Sequence, residues 1–235
     1  MLCQFTVKNF KSIRDEVTFD MQAAAISEHE DRIFIDKDEE KYLPVSAIYG
    51  PNGGGKSNVL AALHTLVAKV LRPLFATEDS EEKVLLPKKI IVEPFAFSES
   101  KDEPTEFELF FRTAVSEYRY ILHVKRDIVL YERLDRVKLE TGRKAALFTR
   151  DENGIVLKGA FVKLKVSDEL SRTLTLLSYL GIAYKGNAVV KDVLSWFEYG
   201  IEFLNYGNPI QELRMAVSTS EEVKKLMLQM IQEMD

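Results

Sequence analysis

A glycine-rich run in the first quarter of the sequence, GPNGGGKS at residues 50–57, has the residue types and spacing of a phosphate-binding loop. Gly50, Gly55, Lys56 and Ser57 satisfy the pattern G-x-x-x-x-G-K-[ST]. In such a loop several backbone N–H groups turn toward a polyphosphate, which requires dihedral angles that glycine adopts and larger residues resist. The lysine reaches the β- and γ-phosphates, and the hydroxyl that comes after it binds Mg²⁺.

The residues expected to contact the phosphates continue from this loop without a gap. Pro51 has no N–H and is expected at a position that does not donate, whereas the three glycines after Asn52 allow the tightest bend. The alternative is a glycine-rich turn without a ligand. The context argues against it, because an apolar run precedes the loop and an apolar-periodic run comes after it. The predicted ligands are Asn52, Gly53, Gly54, Gly55, Lys56, Ser57 and Asn58, with Ser57 as the metal ligand.

Two elements must hold the loop in place. LPVSAIYG, residues 43–50, is a nearly continuous apolar run, which predicts a buried central strand of a parallel sheet. From residue 56 to residue 72, apolar residues recur at spacings of three and four, which predicts a helix that Pro73 stops. The free N–H groups and the positive dipole end of this helix would then face the anion.

The middle of the sequence changes to a period of two. From about residue 85 to residue 157, short alternating runs are separated by turn residues, which predicts a meander of antiparallel hairpins. The dipeptide Asn153-Gly154 is a strong signal for a two-residue hairpin turn. Including two runs near the N-terminus, the alternating segments are 2–7, 17–21, 90–97, 105–113, 117–126, 128–140, 145–150 and 154–159.

The last part of the sequence, residues 167–235, is interpreted as helical. Residues 187–204 are predicted as a helix in which Trp196 and Phe197 pack against neighbouring elements. A final helix opens near Ser218, where Glu221 could complete a capping box. This helix reaches the last residue without a capping residue or a cationic last turn, so we expect the domain to continue beyond it.

These elements predict an α/β fold: a P-loop NTPase lobe with a large antiparallel β insertion and C-terminal helices. We expect three parts. Residues 1–82 form the P-loop nucleotide-binding core, and residues 83–166 form an antiparallel β subdomain. Residues 167–235 form a helical segment that continues in a missing C-terminal half.

The composition is that of a globular protein without an obvious polyanionic partner. Of 235 residues, 37 are acidic and 32 are basic, and the net charge of −5 gives no overall basic surface for nucleic acid. The single cysteine, Cys3, excludes a disulfide within the chain and is expected to be a small buried residue of the first strand, so we expect a cytoplasmic protein. The absence of 18 consecutive apolar residues predicts no transmembrane helix and no membrane partner.

Other nucleotide-binding classes that share the loop fit the sequence poorly. A GTPase needs N-K-x-D for the guanine base, and the sequence contains none. Its D-x-x-G pattern is matched only by DENG at residues 151–154, which we interpret as a hairpin turn. A small nucleoside kinase would continue with alternating strands and helices, whereas this chain continues with antiparallel strands.

FTVKNFKSI, VSAIYGPNGGGKSNVLAAL and the alternating runs after them resemble the ABC-type ATPases of the RecF and SMC kind. More closely, they resemble AAA-family ATP-binding proteins similar to the overcoming-lysogenisation-defect ATPases, over about residues 2–205. The resemblance implies ATP and Mg²⁺ as cofactors, a homodimer of ATPase heads, and a nuclease effector or DNA as partners in phage defence or DNA repair. It also places Lys11, Ser12 and Arg14 near the phosphates. The alternative is that Lys11 and Arg14 are solvated turn residues.

Three motifs that the resemblance implies are not found in the sequence. No four apolar residues precede Asp-Glu, so a Walker B motif is missing, and IVLYERLD at 128–135 is interpreted as a strand. No L-S-x-G signature is present, although LLSYLGIAYKG around Ser178 is partly similar. No glutamine lies between Ser178 and Asn187, where a Q-loop would fall. The catalytic residues are therefore unknown.

Two hypotheses are consistent with these observations. In the first, the chain is the ATP- and Mg²⁺-binding N-terminal lobe of an ABC-type ATPase that hydrolyses ATP in a head-to-head dimer. In the second, it is a non-hydrolysing scaffold or sensor in which bound ATP orders a partner surface.

Overall fold

The computed structural model describes residues 1–24, 30–36, 38–75, 90–97, 99–167, 169–203 and 225. The chain divides into a compact unit, Met1–Ile201, and a second unit, Glu202–Asp235. In the second unit only residues 202, 203 and 225 are described, and Lys225 is helical. The predicted capping box of Ser218 and Glu221 lies outside the described residues, and the predicted division into three parts stays a prediction.

The compact unit is built on a seven-stranded sheet in which every neighbouring pair is antiparallel. In spatial order its strands are β2 (Val17–Asp20), β1 (Leu2–Lys8), β5 (Thr105–Arg112), β6 (Ser116–Lys125), β7 (Ile128–Lys138), β8 (Lys144–Asp151) and β9 (Gly154–Leu157). A separate ribbon pairs β3 (Phe34–Ile35) with β4 (Lys41–Tyr42). The predicted meander is thus confirmed from β5 to β9, and the two N-terminal strands extend the same sheet.

Buried and more exposed residues alternate along the strands, because one face of the sheet is covered by helices and the other meets solvent. In β6 every second residue is buried, and Tyr118, Tyr120 and Leu122 point into the core. The opposite face carries cross-strand ion pairs, such as Lys8–Glu106 at 3.3 Å. The predicted hairpin forms between β8 and β9, but its loop residues are Glu152 and Asn153, because Asp151 pairs with Gly154.

Three α-helices supply the covering layer: α1 (Lys56–Phe75), α2 (Leu176–Ala183) and α3 (Ala188–Tyr199). Asn187 caps α3 by accepting the amides of Val189 and Val190. Trp196 of α3 stacks on Phe111 with ring centroids 4.6 Å apart. Helix α3 is shorter than the predicted 187–204, but the expected packing role of its aromatic residues is confirmed.

Helix α1 continues past Pro73, the residue predicted to stop it, and Pro73 lies inside its last turn. A proline near the end of a helix removes only one backbone hydrogen bond, and its fixed φ angle is helical. By length and hydropathy α1 is also the one described helix that could span a membrane, although half of that window is buried inside the protein. A core helix passes the same test, and we interpret α1 as one because its apolar stripe packs between α2, α3 and β1.

The prediction of a buried strand at residues 43–50 is wrong. The segment between β4 and α1 is not a strand, and Val45 and Tyr49 are 78% and 90% exposed. An apolar run becomes a buried parallel strand only where parallel neighbours exist, and all the strands described here pair antiparallel. The run at 90–97 is not a strand either, although its Ile90 and Val92 are buried.

A buried carboxylate joins the sheet to the helix layer. Glu132 of β7 is fully buried and accepts the amides of Leu176 and Leu177 at 2.6 and 2.9 Å. These amides lie at the start of α2, where they have no acceptor within the helix itself. The hydroxyl of Tyr120 donates to the same carboxylate at 2.9 Å. Burial raises the pKa of the Glu132 carboxyl, and the three hydrogen bonds and nearby Arg150 oppose that shift.

Removing this carboxylate is expected to destabilise the whole unit. Glu132→Ala leaves two helix amides and the Tyr120 hydroxyl without a buried acceptor, so we expect the free energy of unfolding to fall by about 3 kcal/mol. Urea denaturation measures it. Glu152→Ala, in the exposed turn between β8 and β9, is the control and should change stability by less than about 0.5 kcal/mol. A loss of similar size in both variants would contradict the anchoring role of Glu132.

Candidate functional site

The glycine-rich loop bends at two glycines with left-handed backbone angles. Gly53 has φ +79° and Gly55 has φ +84°, values that residues with a side chain rarely adopt. Within the loop, the amide of Gly54 donates to the carbonyl of Pro51 at 3.1 Å. The amides of Gly53, Gly55, Lys56 and Ser57 make no hydrogen bond within the described part of the chain. The loop therefore presents free donors at the start of α1, as an anion site requires.

Lys56 lies over the loop that precedes it. Its ammonium group donates to the carbonyls of Gly50 and Pro51, both at 2.7 Å. A phosphate oxygen is a stronger acceptor for an ammonium group than a neutral carbonyl, because the hydrogen bond is assisted by both charges. The Lys56 side chain can therefore exchange two backbone acceptors for the β- and γ-phosphates without leaving the loop.

The first turn of α1 places a hydroxyl beside these donors. Ser57 is exposed, and its hydroxyl makes no hydrogen bond to the described residues, so it is available to a metal ion. Asn58 and Val59 donate their amides to the Gly55 carbonyl at 2.9 and 3.3 Å, which continues the helix directly from the loop. Val59 is buried and anchors this turn in the core.

A second loop, residues 9–14 after β1, lies against the glycine-rich loop. The side-chain amide of Asn58 donates to the Ser12 hydroxyl at 2.7 Å. A side chain at Gly55 would come within 3.1 Å of the same hydroxyl oxygen. The structure thus brings Ser12 to the candidate phosphate site.

The two basic residues of this second loop, Lys11 and Arg14, which the family resemblance places near the phosphates, have other partners in the structure. Lys11 is exposed, its amide donates to the Glu93 carbonyl at 2.9 Å, and its ammonium lies 5.5 Å from the centre of the Phe10 ring. Arg14 forms an exposed ion pair with Asp15 at 2.8 Å. In the described hydrogen bonds and ion pairs, Ser12 is joined to Asn58 beside the glycine-rich loop, whereas the side chains of Lys11 and Arg14 have no such bond to the loop.

Asn9 is the residue of this region that the sequence analysis missed. It is 1% exposed and has a left-handed φ of +56°. Its side chain binds the backbone of Phe95, Glu103 and Pro104, at 2.9, 3.1 and 3.2 Å. Asparagine is one of the few residues that tolerate this backbone conformation, which is the only local signal in the sequence.

Residues that partly matched catalytic motifs have other roles. Ser178, in the run that partly resembles a signature motif, lies in α2, is buried and donates to the Val70 carbonyl of α1 at 2.6 Å. Glu132, in the run nearest to a Walker B, is committed to the start of α2. No cluster of three or more metal-ligating side chains occurs in the described ranges.

A glycine loop with two left-handed residues and free amides, a lysine above it and a helix behind it defines a P-loop nucleotide-binding domain. The chain matches the family described as "AAA domain, putative AbiEii toxin, Type IV TA system" over residues 45–183, more than half its length, and it belongs to this family of ATP-binding proteins. No curated protein matches the chain. Which of the predicted residues touch the nucleotide stays a prediction.

A side chain at Gly55 should weaken nucleotide binding. Gly55→Ala combines the cost of a left-handed alanine, about 1 kcal/mol, with crowding of Ser12 and displacement of a donor amide. We expect the dissociation constant for Mg·ATP, measured by calorimetry, to rise at least about tenfold.

Gly142→Ala is the matched control. Gly142 has φ +62°, and an added Cβ there meets no atom within 4 Å. This variant should lose a similar stability in thermal unfolding and keep the affinity of the wild type. Equal affinities in the two variants would show that the loop geometry at Gly55 is not used for binding.

Proposed function

We propose that this chain binds ATP with Mg²⁺ in its P-loop as part of an ABC-type ATPase head. The observation that carries the proposal is the set of unbonded amides of Gly53, Gly55, Lys56 and Ser57 at the start of α1, in a loop with two left-handed glycines. In this arrangement Lys56 neutralises the β- and γ-phosphates and Ser57 ligates Mg²⁺. Adenine is preferred over guanine in the proposal because N-K-x-D is lacking and the family is ATP-binding.

Hydrolysis needs a group that orients and deprotonates water, and we propose that it is not supplied by the described residues. Glu132, from the run that comes nearest to a Walker B motif in the sequence, is buried under α2 and bonded to two amides. The apolar segment before the loop, with Val45 and Tyr49 exposed, has no parallel strand beside it in the described part of the chain. Both observations support a head whose catalytic half comes from further polypeptide and whose site closes against a second head.

For the biological role we propose a nucleotide-dependent component of a defence or repair system. The family description names a toxin of a type IV toxin–antitoxin system, which supports a defence-related role. The proposed partners are a second copy of the head and a nuclease effector or DNA, in the cytoplasm and without a membrane partner. The even balance of charges favours protein partners over DNA for this chain by itself.

The second candidate is a scaffold or sensor that binds ATP and does not hydrolyse it. The hydrogen bonds of Glu132 to α2 support this candidate as much as they support an ATPase whose catalytic groups come from further polypeptide. The polypeptide encoded after residue 235, or by the neighbouring gene, distinguishes the two candidates. An apolar run ending in Asp-Glu at either place supports the ATPase.

The lysine provides the direct test of binding. We expect the 235-residue chain to bind Mg·ATP, more tightly than Mg·GTP, without measurable turnover. Lys56→Ala should weaken binding by at least about tenfold, because it removes the cation that faces the phosphates. Calorimetry and a phosphate-release assay make the two measurements. Turnover by the wild type that Lys56→Ala abolishes would contradict the assignment of the catalytic half to other polypeptide.

The metal role of Ser57 has its own signature. In the wild type, removing Mg²⁺ with EDTA should weaken ATP binding. In Ser57→Ala the affinity should respond less to EDTA, because the inner-sphere hydroxyl is gone. Ser195→Ala, on helix α3, is the control and should keep the full response. An equal response to EDTA in all three proteins would contradict the assignment of Ser57 as metal ligand.

A further inference from the structure

We propose that Asn9 is a positioning residue for the nucleotide site, which it serves by fixing Ser12 against the P-loop. The inference rests on the proposed function, because it assigns the second loop a task in nucleotide binding. Asn9 does not touch the P-loop in the described contacts. It acts through the turn of residues 9–14, hereafter the Asn9 turn.

Asn9 ties three separate parts of the chain together. Its carboxamide oxygen accepts the amide of Phe95 at 2.9 Å, and its Nδ2 donates to the carbonyls of Glu103 and Pro104. Its own carbonyl accepts the hydroxyl of Thr105, the first residue of β5, at 2.6 Å. These groups are largely shielded from water, so losing one partner leaves another unsatisfied.

The Asn9 turn is closed and strained. Phe10 and Ile13 exchange two backbone hydrogen bonds, at 2.8 and 2.7 Å, and the Asn9 amide donates to the Arg14 carbonyl at 3.2 Å. Both Asn9 and Lys11 have positive φ angles, +56° and +49°. Such angles cost of order 1 kcal/mol or more each and persist only where the surroundings impose them. Here the carboxamide of Asn9 and the buried ring of Phe10, which packs on Phe107 at 6.1 Å, impose them.

The closed, strained backbone of the Asn9 turn sets the position of the Ser12 hydroxyl. Ser12 comes directly after Lys11, accepts the side-chain amide of Asn58 and lies beside Gly55. Asn58 is the next residue after the proposed metal ligand, Ser57. The Asn9 turn therefore sets the wall of the site next to the residues that hold phosphate and Mg²⁺, and the hydrogen bonds of Asn9 connect that wall to the start of β5.

The test uses Asn9→Gly, which keeps the left-handed backbone accessible and removes the side-chain hydrogen bonds, including the three described here. We expect the dissociation constant for Mg·ATP to rise about tenfold, the effect of a site wall that is no longer fixed. Tyr118→Phe, which removes a partly buried hydrogen bond to Asp192 at 2.7 Å, is the control for a lost hydrogen bond elsewhere in the fold and should keep wild-type affinity. Asn9→Asp keeps the acceptor for Phe95 and serves if Asn9→Gly does not fold.

A double-mutant cycle separates positioning from general destabilisation. In a Ser12→Ala background, Asn9→Gly should weaken Mg·ATP binding no further, because its effect passes through Ser12. Equal and additive losses in both backgrounds, or unchanged affinity in Asn9→Gly, would overturn the proposal.

A second measurement needs no nucleotide. In spectra of ¹⁵N-labelled protein, the side-chain amide of Asn58 should exchange with water faster in Asn9→Gly than in Tyr118→Phe. Unchanged exchange would overturn the proposal even if ATP binds. Faster exchange in a protein that binds no ATP would refute the proposed function while confirming that Asn9 positions Ser12.

Discussion

The fold depends on a carboxylate that is buried in a sheet. Glu132 accepts two amides at the start of α2, and its full burial makes each of those bonds costly to lose. From α2 the connection continues to the P-loop helix, because Ser178 donates to the Val70 carbonyl of α1. The sheet therefore fixes α2, α2 fixes α1, and the start of α1 carries the free amides of the candidate phosphate site. An eight-residue helix could hardly serve as this link without its buried anchor.

The sequence predicts best those elements whose signal is local. Strands β5 to β9 could be predicted from a period of two, since one face meets the helices and the other meets water. The glycine positions in the loop reflect the backbone angles that a phosphate cradle needs. The exposure of residues 43–50 could not be predicted in this way, because an apolar run is buried as a strand only beside neighbouring strands, which its own residues cannot specify. The same limit explains the irregular run at 90–97.

The candidate site shows the same division between local and distant signals. Lys56 and Ser57 could be assigned from one short motif, whereas Ser12 required a family resemblance and Asn9 required the structure. The described partners of the Asn9 side chain lie 86 to 95 residues away and are backbone groups, which leave no trace in the residue types. Arg14 is the opposite case. It follows the FTVKNFKSI run directly in the sequence, but its guanidinium group pairs with the neighbouring Asp15.

The proposed function has two parts, binding ATP and hydrolysing it, and they make opposite demands on this chain. Binding phosphate requires amides that stay unbonded, and a rigid frame supplies them here through α1 and the Asn9 turn. Activating water requires a carboxylate that is exposed to the site, and the burial of Glu132, which stabilises the fold, excludes it from any such role. The hydrogen bonds of Glu132 to α2 give the P-loop helix a fixed support. In the proposed ATPase the reactive groups would then come from polypeptide that packs against the exposed segment at Val45 and Tyr49 or across the open face of the loop.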